Sequence, residues 1–122
     1  MEVLNDILGY KNRKIYQDTD CFSFSLDSIM LANFATIRLK DKNIVDLGCG
    51  NGVIPLILSL RTDKKIIGVE IQKESYELAV ESVEVNNLSD QIEKTDVLLF
   101  FSIVFKIIFK FFIKYFCCKK AI

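Results

Sequence analysis

The sequence predicts an α/β fold in which parallel strands alternate with helices. Two observations carry this. Short β-branched runs, Ile44-Val45-Asp46-Leu47 and Ile66-Ile67-Gly68-Val69, alternate with helical segments. A glycine loop, Gly48-Cys49-Gly50-Asn51-Gly52, joins the first run directly to an apolar helix. Alternation at this spacing is the signature of β-α-β units and a parallel sheet.

The elements follow in order. Residues 1–20 are polar and mixed, and are compatible with a short helix or a hairpin around Gly9 and Asn12. Ser25 and Asp27 can cap a short amphipathic helix over roughly residues 27–36, carrying Ile29, Met30, Ala32 and Phe34. Phe24, Ile29 and Leu31 are expected in the core. The first strand is Ile44–Leu47. After the glycine loop, residues 53–60 are apolar nearly all round and form a buried helix. Pro55, the only proline, falls in its first turn, where a missing N–H costs nothing. Ile66–Glu70 is a second buried strand ending in an acid. From Gln72 to about Asn86, Tyr76, Ala79, Val80 and Val83 recur three and four apart, which gives a helix with one apolar face. Asn86-Asn87 stops it, and Gln91-Ile92-Glu93 begins a third strand.

Composition narrows the chemistry. The 122 residues hold no His, so general-base and metal-ligand roles fall to other groups. The four cysteines, Cys21, Cys49, Cys117 and Cys118, fit no zinc spacing and are expected as free thiols in a reducing cytoplasm. The N-terminus has no basic start and no apolar run of the signal-peptide kind. The zero net charge hides an asymmetry: residues 1–96 carry −5, whereas residues 97–122 carry five Lys, no acid and seven of the ten Phe.

The central constellation is Asp46-x-Gly48-x-Gly50-x-Gly52 with Glu70 beyond. Where a strand turns sharply into a helix, glycines permit positive φ and let a ligand approach the backbone. Backbone N–H groups there favour an anionic group. An acid at the tip of the next strand can accept both hydroxyls of a ribose. A dinucleotide site wants G-x-G-x-x-G, but the position for its third glycine is Val53. Asp46 would also repel a pyrophosphate, while it can pair with the amine of an amino-acid zwitterion. The chemistry points to S-adenosylmethionine, with its ammonium near Asp46 and its ribose on Glu70. The plainer reading, a structural turn with Glu70 only capping a strand, explains fewer of these features together.

Asp46-Leu47-Gly48-Cys49-Gly50-Asn51-Gly52 resembles motif I of the class I methyltransferases, and Gly68-Val69-Glu70 resembles their second motif. Upstream, Phe22-Ser23-Phe24-Ser25-Leu26-Asp27-Ser28-Ile29-Met30-Leu31-Ala32-Asn33-Phe34 resembles the N-terminal segment of the bacterial tRNA adenine-N6 methyltransferases. So do Leu8-Gly9-Tyr10, Ile15-Tyr16-Gln17, Val69-Glu70-Ile71-Gln72 and Tyr76-Glu77-Leu78-Ala79. The likeness covers residues 3–93. It implies the N-terminal portion of a Rossmann-like methyltransferase fold, with about three parallel strands of the full domain's seven and flanking helices. Residues 1–42 would cover the cofactor, and residues 43–96 would form a partial S-adenosylmethionine-binding domain. Asp46, Gly48, Gly50 and Glu70 would bind cofactor, with Asp27 near its methionyl end; Asp27 as a helix cap is the competing reading. The implied reaction is methyl transfer to N6 of a tRNA adenine.

The sequence departs from that family in one respect. The family's catalytic Asn-Pro-Pro-Tyr is absent from the 122 residues, so no catalytic residue is assigned and the chain is expected to be an inactive fragment. Residues 97–122 match nothing in the family. Out-of-frame translation of an A+T-rich gene is the favoured reading of this hydrophobic basic tail. A membrane span is disfavoured, because the uncharged run 97–105 falls well short of the ~20 residues a span needs. A basic interfacial helix is the runner-up, since Lys106, Lys110 and Lys114 recur four apart. A non-enzymatic, membrane-associated protein anchored by this tail is the alternative function.

Overall fold

The structure is a computed structural model that describes residues 1–20 and 24–96. The readings of residues 97–122 as out-of-frame, membrane-spanning or interfacial lie outside the described residues. Among the described residues, no helix is long and apolar enough to cross a membrane.

The N-terminal segment is a hairpin. Strand β1 (Glu2–Ile7) pairs antiparallel with β2 (Tyr10–Asp18), in register from Glu2 opposite Asp18 to Ile7 opposite Tyr10. The turn is made at Gly9, whose φ of +83° a side chain would resist. Asn12 is no turn residue; it lies inside β2. Ile7 and Ile15 are the hairpin's fully buried side chains and seat it on the domain.

Helix α1 (Leu26–Phe34) follows, close to the expected bounds. Ser25 occupies the cap position, but no side chain caps the helix by a hydrogen bond. Ile29 and Ala32, three apart, are buried. Phe24 is half-buried, whereas Leu31 is exposed, contrary to the core role expected of it. At 100° per residue Leu31 lies about 200° round from Ile29, on the opposite face.

The domain proper is a parallel three-stranded sheet in the order β3-β4-β5. Its strands are β3 (Asn43–Leu47), β4 (Lys65–Glu70) and β5 (Ile92–Asp96). Helix α2 (Val53–Leu58) connects β3 to β4, and α3 (Lys73–Val85) connects β4 to β5, giving two β-α-β units. Asp46 pairs with Gly68, and Leu47 with Val69, so the glycine loop and Glu70 emerge at the same end of the sheet. The expected third strand, begun at Gln91, starts at Ile92.

Helix α2 is two residues shorter than the apolar run suggested and relaxes into turns through Leu60 and Arg61. On α3, Leu78, Ala79, Ser82 and Val83 are buried, while Tyr76 and Val80 are half-buried. One core joins hairpin and sheet, with Ile7, Ile15, Leu56, Ile66, Val83 and Ile92 among its members. Burying a side chain of this size stabilises by about 1.5–3 kcal/mol, so the hairpin is an integral part of the fold.

Candidate functional site

The glycine loop is held from three directions. Its start hangs on the end of β4, where the Val69 carbonyl accepts from Gly48 N–H at 2.8 Å and Cys49 N–H at 3.0 Å. A tight turn closes it, with Gly52 N–H donating to the Cys49 carbonyl at 2.9 Å. Gly50 N–H donates to Glu70 Oε2 at 2.8 Å. Gly48, Gly50 and Gly52 have φ of +77°, +56° and +91°, so the alternation of glycines in the sequence is an alternation of left-handed backbone. A Cβ placed on Gly48 or Gly50 would meet nothing within 4 Å, which leaves open space against the loop backbone. At Gly52 a Cβ would touch Ala79 at 3.5 Å, so that glycine also lets α3 approach.

Glu70 is 7% exposed and acts as a clamp. Besides Gly50, its carboxylate accepts from Ile71 N–H and Gln72 N–H, both at 2.8 Å onto Oε1. Three backbone donors fix the carboxylate at the tip of β4. A carboxylate offers about four lone-pair sites, so acceptor capacity remains for a hydroxyl.

Asp46 is half-buried, and its Oδ2 atom is buried with no hydrogen-bond partner among the described residues. Burial first, and the Glu70 charge second, push its carboxyl up to about 6 from an ordinary 3.8. An unsatisfied buried acid is costly unless something pairs with it. The Cys49 thiol is buried beside the same two acids. Burial, then the Asp46 and Glu70 charges, push it up to about 12, so it remains a neutral packing group. It packs against Gly68, where an added Cβ would come within 2.9 Å of Sγ.

A cavity of about 330 Å3 opens beside the loop. Gly48, Gly50 and Glu70 line it from the sheet end, and Phe24, Ser28 and Asp18 from the N-terminal segment. The structure therefore brings together four of the residues singled out by sequence: Asp46, Gly48, Gly50 and Glu70. Asp46 lies at the same end of the sheet but is not part of the cavity wall. Asp27 stands apart on the exposed side of the first turn of α1, outside the wall. Its neighbour Ser28 takes the inward position. Asp18 and Ser28 were not among the expected site residues. Asp18 ends a strand whose register only the fold reveals, and Ser28 was hidden inside a helix read for its apolar positions.

The donor set fits S-adenosylmethionine. An orphaned acid oxygen suits an ammonium, the open backbone at Gly48 and Gly50 admits a close ligand, and Glu70 keeps acceptor capacity for a hydroxyl on the cavity wall. Phosphate chemistry fits poorly, since two carboxylates flank the loop.

Comparison with known proteins agrees. Residues 15–108 match the family model described as the methyltransferase small domain. A tRNA1(Val) (adenine(37)-N6)-methyltransferase of Christiangramia forsetii is 30% identical over 89 residues, covering 72% of this chain and 37% of that protein. A ribosomal protein L11 methyltransferase of Colwellia psychrerythraea is 38% identical over 57 residues, covering 47% of this chain and 20% of that protein. The chain thus spans well under half the length of these relatives. Among solved structures, Pyrococcus horikoshii TYW2 in complex with MeSAdo superposes with a TM-score of 0.62 at 20% identity, covering 78% of this chain and 35% of that one. That likeness shows the Rossmann-like fold. The chain belongs to the methyltransferase small-domain family, whose cofactor, S-adenosylmethionine, is the one this site's chemistry fits.

Proposed function

We propose that this chain is the cofactor-binding portion of a methyltransferase that modifies N6 of an adenine in tRNA. The observation that carries the cofactor part is the convergence of Asp46, the left-handed glycines and Glu70 at one end of the parallel strands. Asp46, outside the cavity wall, attracts the ammonium through its charge, Gly48 and Gly50 admit the ligand, and Glu70 accepts from the ribose while keeping the loop closed. Residues 1–42 cover the cofactor, a role supported by Asp18, Phe24 and Ser28 in the cavity wall. Asp27 acts from outside that wall, as a charge near the methionyl end. Bound there, S-adenosylmethionine supplies a methyl group for transfer to a nucleophile.

The tRNA adenine part rests on the sequence resemblance and on the relatives of that name. The 122 residues contain no Asn-Pro-Pro-Tyr to hold a flipped base. Positioning of that kind supplies ~7–11 kcal/mol of a transfer barrier. The described residues supply a cofactor site, and no such base-holding group lines its cavity.

Calorimetric titration tests the reading. S-adenosylmethionine and S-adenosylhomocysteine should each bind saturably, and NAD should not. NAD binding, or no binding of the first two, would overturn it. Incubation with tritiated cofactor and unmodified valine tRNA should yield no N6-methyladenosine above the Asp46→Ala variant. Product above that level would show a catalytic pocket in this chain.

A further inference from the structure

Three side chains hold the inner edge of the hairpin to the domain. Asn86, at the end of α3, takes both backbone groups of Lys14: Lys14 N–H donates to its Oδ1 at 2.9 Å, and its Nδ2 donates to the Lys14 carbonyl at 2.6 Å. Ser82, one turn earlier, accepts from Tyr16 N–H at 2.9 Å through Oγ. Asn51 Nδ2 donates to the Tyr16 carbonyl at 3.1 Å. Lys14 and Tyr16 alternate along β2, so both present their backbone groups on the same edge. That edge would otherwise be an unpaired strand edge. Side chains satisfy all four groups.

Ser82 belongs to α3, and Asn86 is the residue that caps its end. The third belongs to the glycine loop. Asn51 lies between Gly50 and Gly52, and it is the loop's own amide that completes the edge of β2. Two residues beyond Tyr16 the strand ends at Asp18, on the cavity wall.

We propose that Asn51 is a positioning residue that couples closure of the glycine loop on its cofactor to seating of the N-terminal hairpin. This deepens, and rests on, the reading of the cavity as an S-adenosylmethionine site. A five-residue segment with three glycines is conformationally soft. Glu70 tethers it on one side through Gly50, and Tyr16 tethers it on the other through Asn51. If the loop moves, the Tyr16 carbonyl loses its partner and the hairpin edge loosens. If the hairpin lifts, the loop loses its tether at Asn51 and keeps those at Val69 and Glu70. By linkage, a ligand that orders the loop must strengthen hairpin seating by the same factor that seating strengthens the ligand.

Residue-resolved amide exchange on the full chain, with and without S-adenosylmethionine, tests this. Saturating cofactor should slow exchange at Lys14 and Tyr16, whose N–H groups open when the hairpin lifts. Asn51→Ala should speed exchange at both amides without cofactor and weaken cofactor binding by about two- to ten-fold, the loss of one neutral hydrogen bond. Asn51 itself lines the cavity whereas Asn86 does not, so Asn86→Ala separates coupling from direct contact. It should weaken binding in the same direction, with losses less than additive in the double variant. Full affinity in Asn86→Ala would overturn the proposal. A merely structural Asn51 would lower the melting temperature and leave the affinity unchanged, which overturns the proposal. Unchanged exchange at Lys14 and Tyr16 on saturation of the wild-type chain also overturns it, with no variant involved. Absence of binding by the wild-type chain overturns the site reading and the proposal together.

Discussion

Gly50 and Glu70, twenty positions apart, are joined by a 2.8 Å hydrogen bond from the loop N–H to the buried carboxylate. The bond locks a flexible turn onto the tip of the neighbouring strand. Replacing the carboxylate by an amide puts an NH2 group against backbone N–H donors. Glu70→Gln should therefore lose at least one charge-assisted bond and destabilise the fold by ~1.5–3 kcal/mol. Urea denaturation reads the loss, and calorimetry should show weaker S-adenosylmethionine binding. An unchanged midpoint would mean that the loop is held without Glu70.

The legible parts of the sequence were those set by local chirality and period. Gly48, Gly50 and Gly52 alternate because the backbone does, and no other residue suits three left-handed positions so cheaply. Ala79 and Val83 recur at helical spacing because one face of α3 is buried. The hairpin was less legible. Gly9 marked its turn, but the seating of β2 depends on Ser82 and Asn86, which lie 66 and 72 residues away from the groups they meet. Leu31 was misread because α1 is apolar on several faces, so hydrophobicity alone did not say which side is inward. Asn51 sits at a position any small polar residue could fill, and only its distant partner Tyr16 explains the amide.

Gly68 is kept small by Cys49. An added Cβ would lie 2.9 Å from Cys49 Sγ, and the sulfur is buried with little room to retreat. Gly68→Ala should cost ~1–3 kcal/mol, as overpacking does. Cys49→Ala removes the clashing sulfur, so the double variant should be less destabilised than the sum of the single changes. Simple additivity in thermal melts would show that the strain lies elsewhere.

Cys49 should be inert despite its place in the cofactor loop. It is 6% exposed, and its thiol is pushed up to about 12, so almost no thiolate exists at pH 8. Iodoacetamide should leave Cys49 unmodified in the native chain and alkylate it in urea, as read by peptide mass spectrometry. Native labelling at the unfolded rate would mean that the loop opens freely.

Asp46 should make both stability and cofactor affinity depend on pH, in opposite directions. Its carboxyl stands at about 6 in the folded chain against an ordinary 3.8. Between those values the folded state keeps a proton that the unfolded state has lost. This contribution to stability is full below pH ~4 and fades as pH rises through about 6, where the buried group must ionise. A shift of this size corresponds to roughly 2–3 kcal/mol. Asp46→Asn removes the ionisation, so it should be more stable than the parent at pH 7 and flatten the difference between pH 4 and pH 7. Cofactor binding works the other way. An ammonium beside Asp46 favours the carboxylate, so affinity should rise between pH 5 and pH 7, with a proton released near pH 6 that titrations in buffers of different ionisation enthalpy can count. Asp46→Asn should lose that pH dependence and bind S-adenosylmethionine more weakly at pH 7. Equal affinity in the variant, with a flat profile in the parent, would remove Asp46 from the ammonium's partners and leave its buried oxygen without a ligand to explain it.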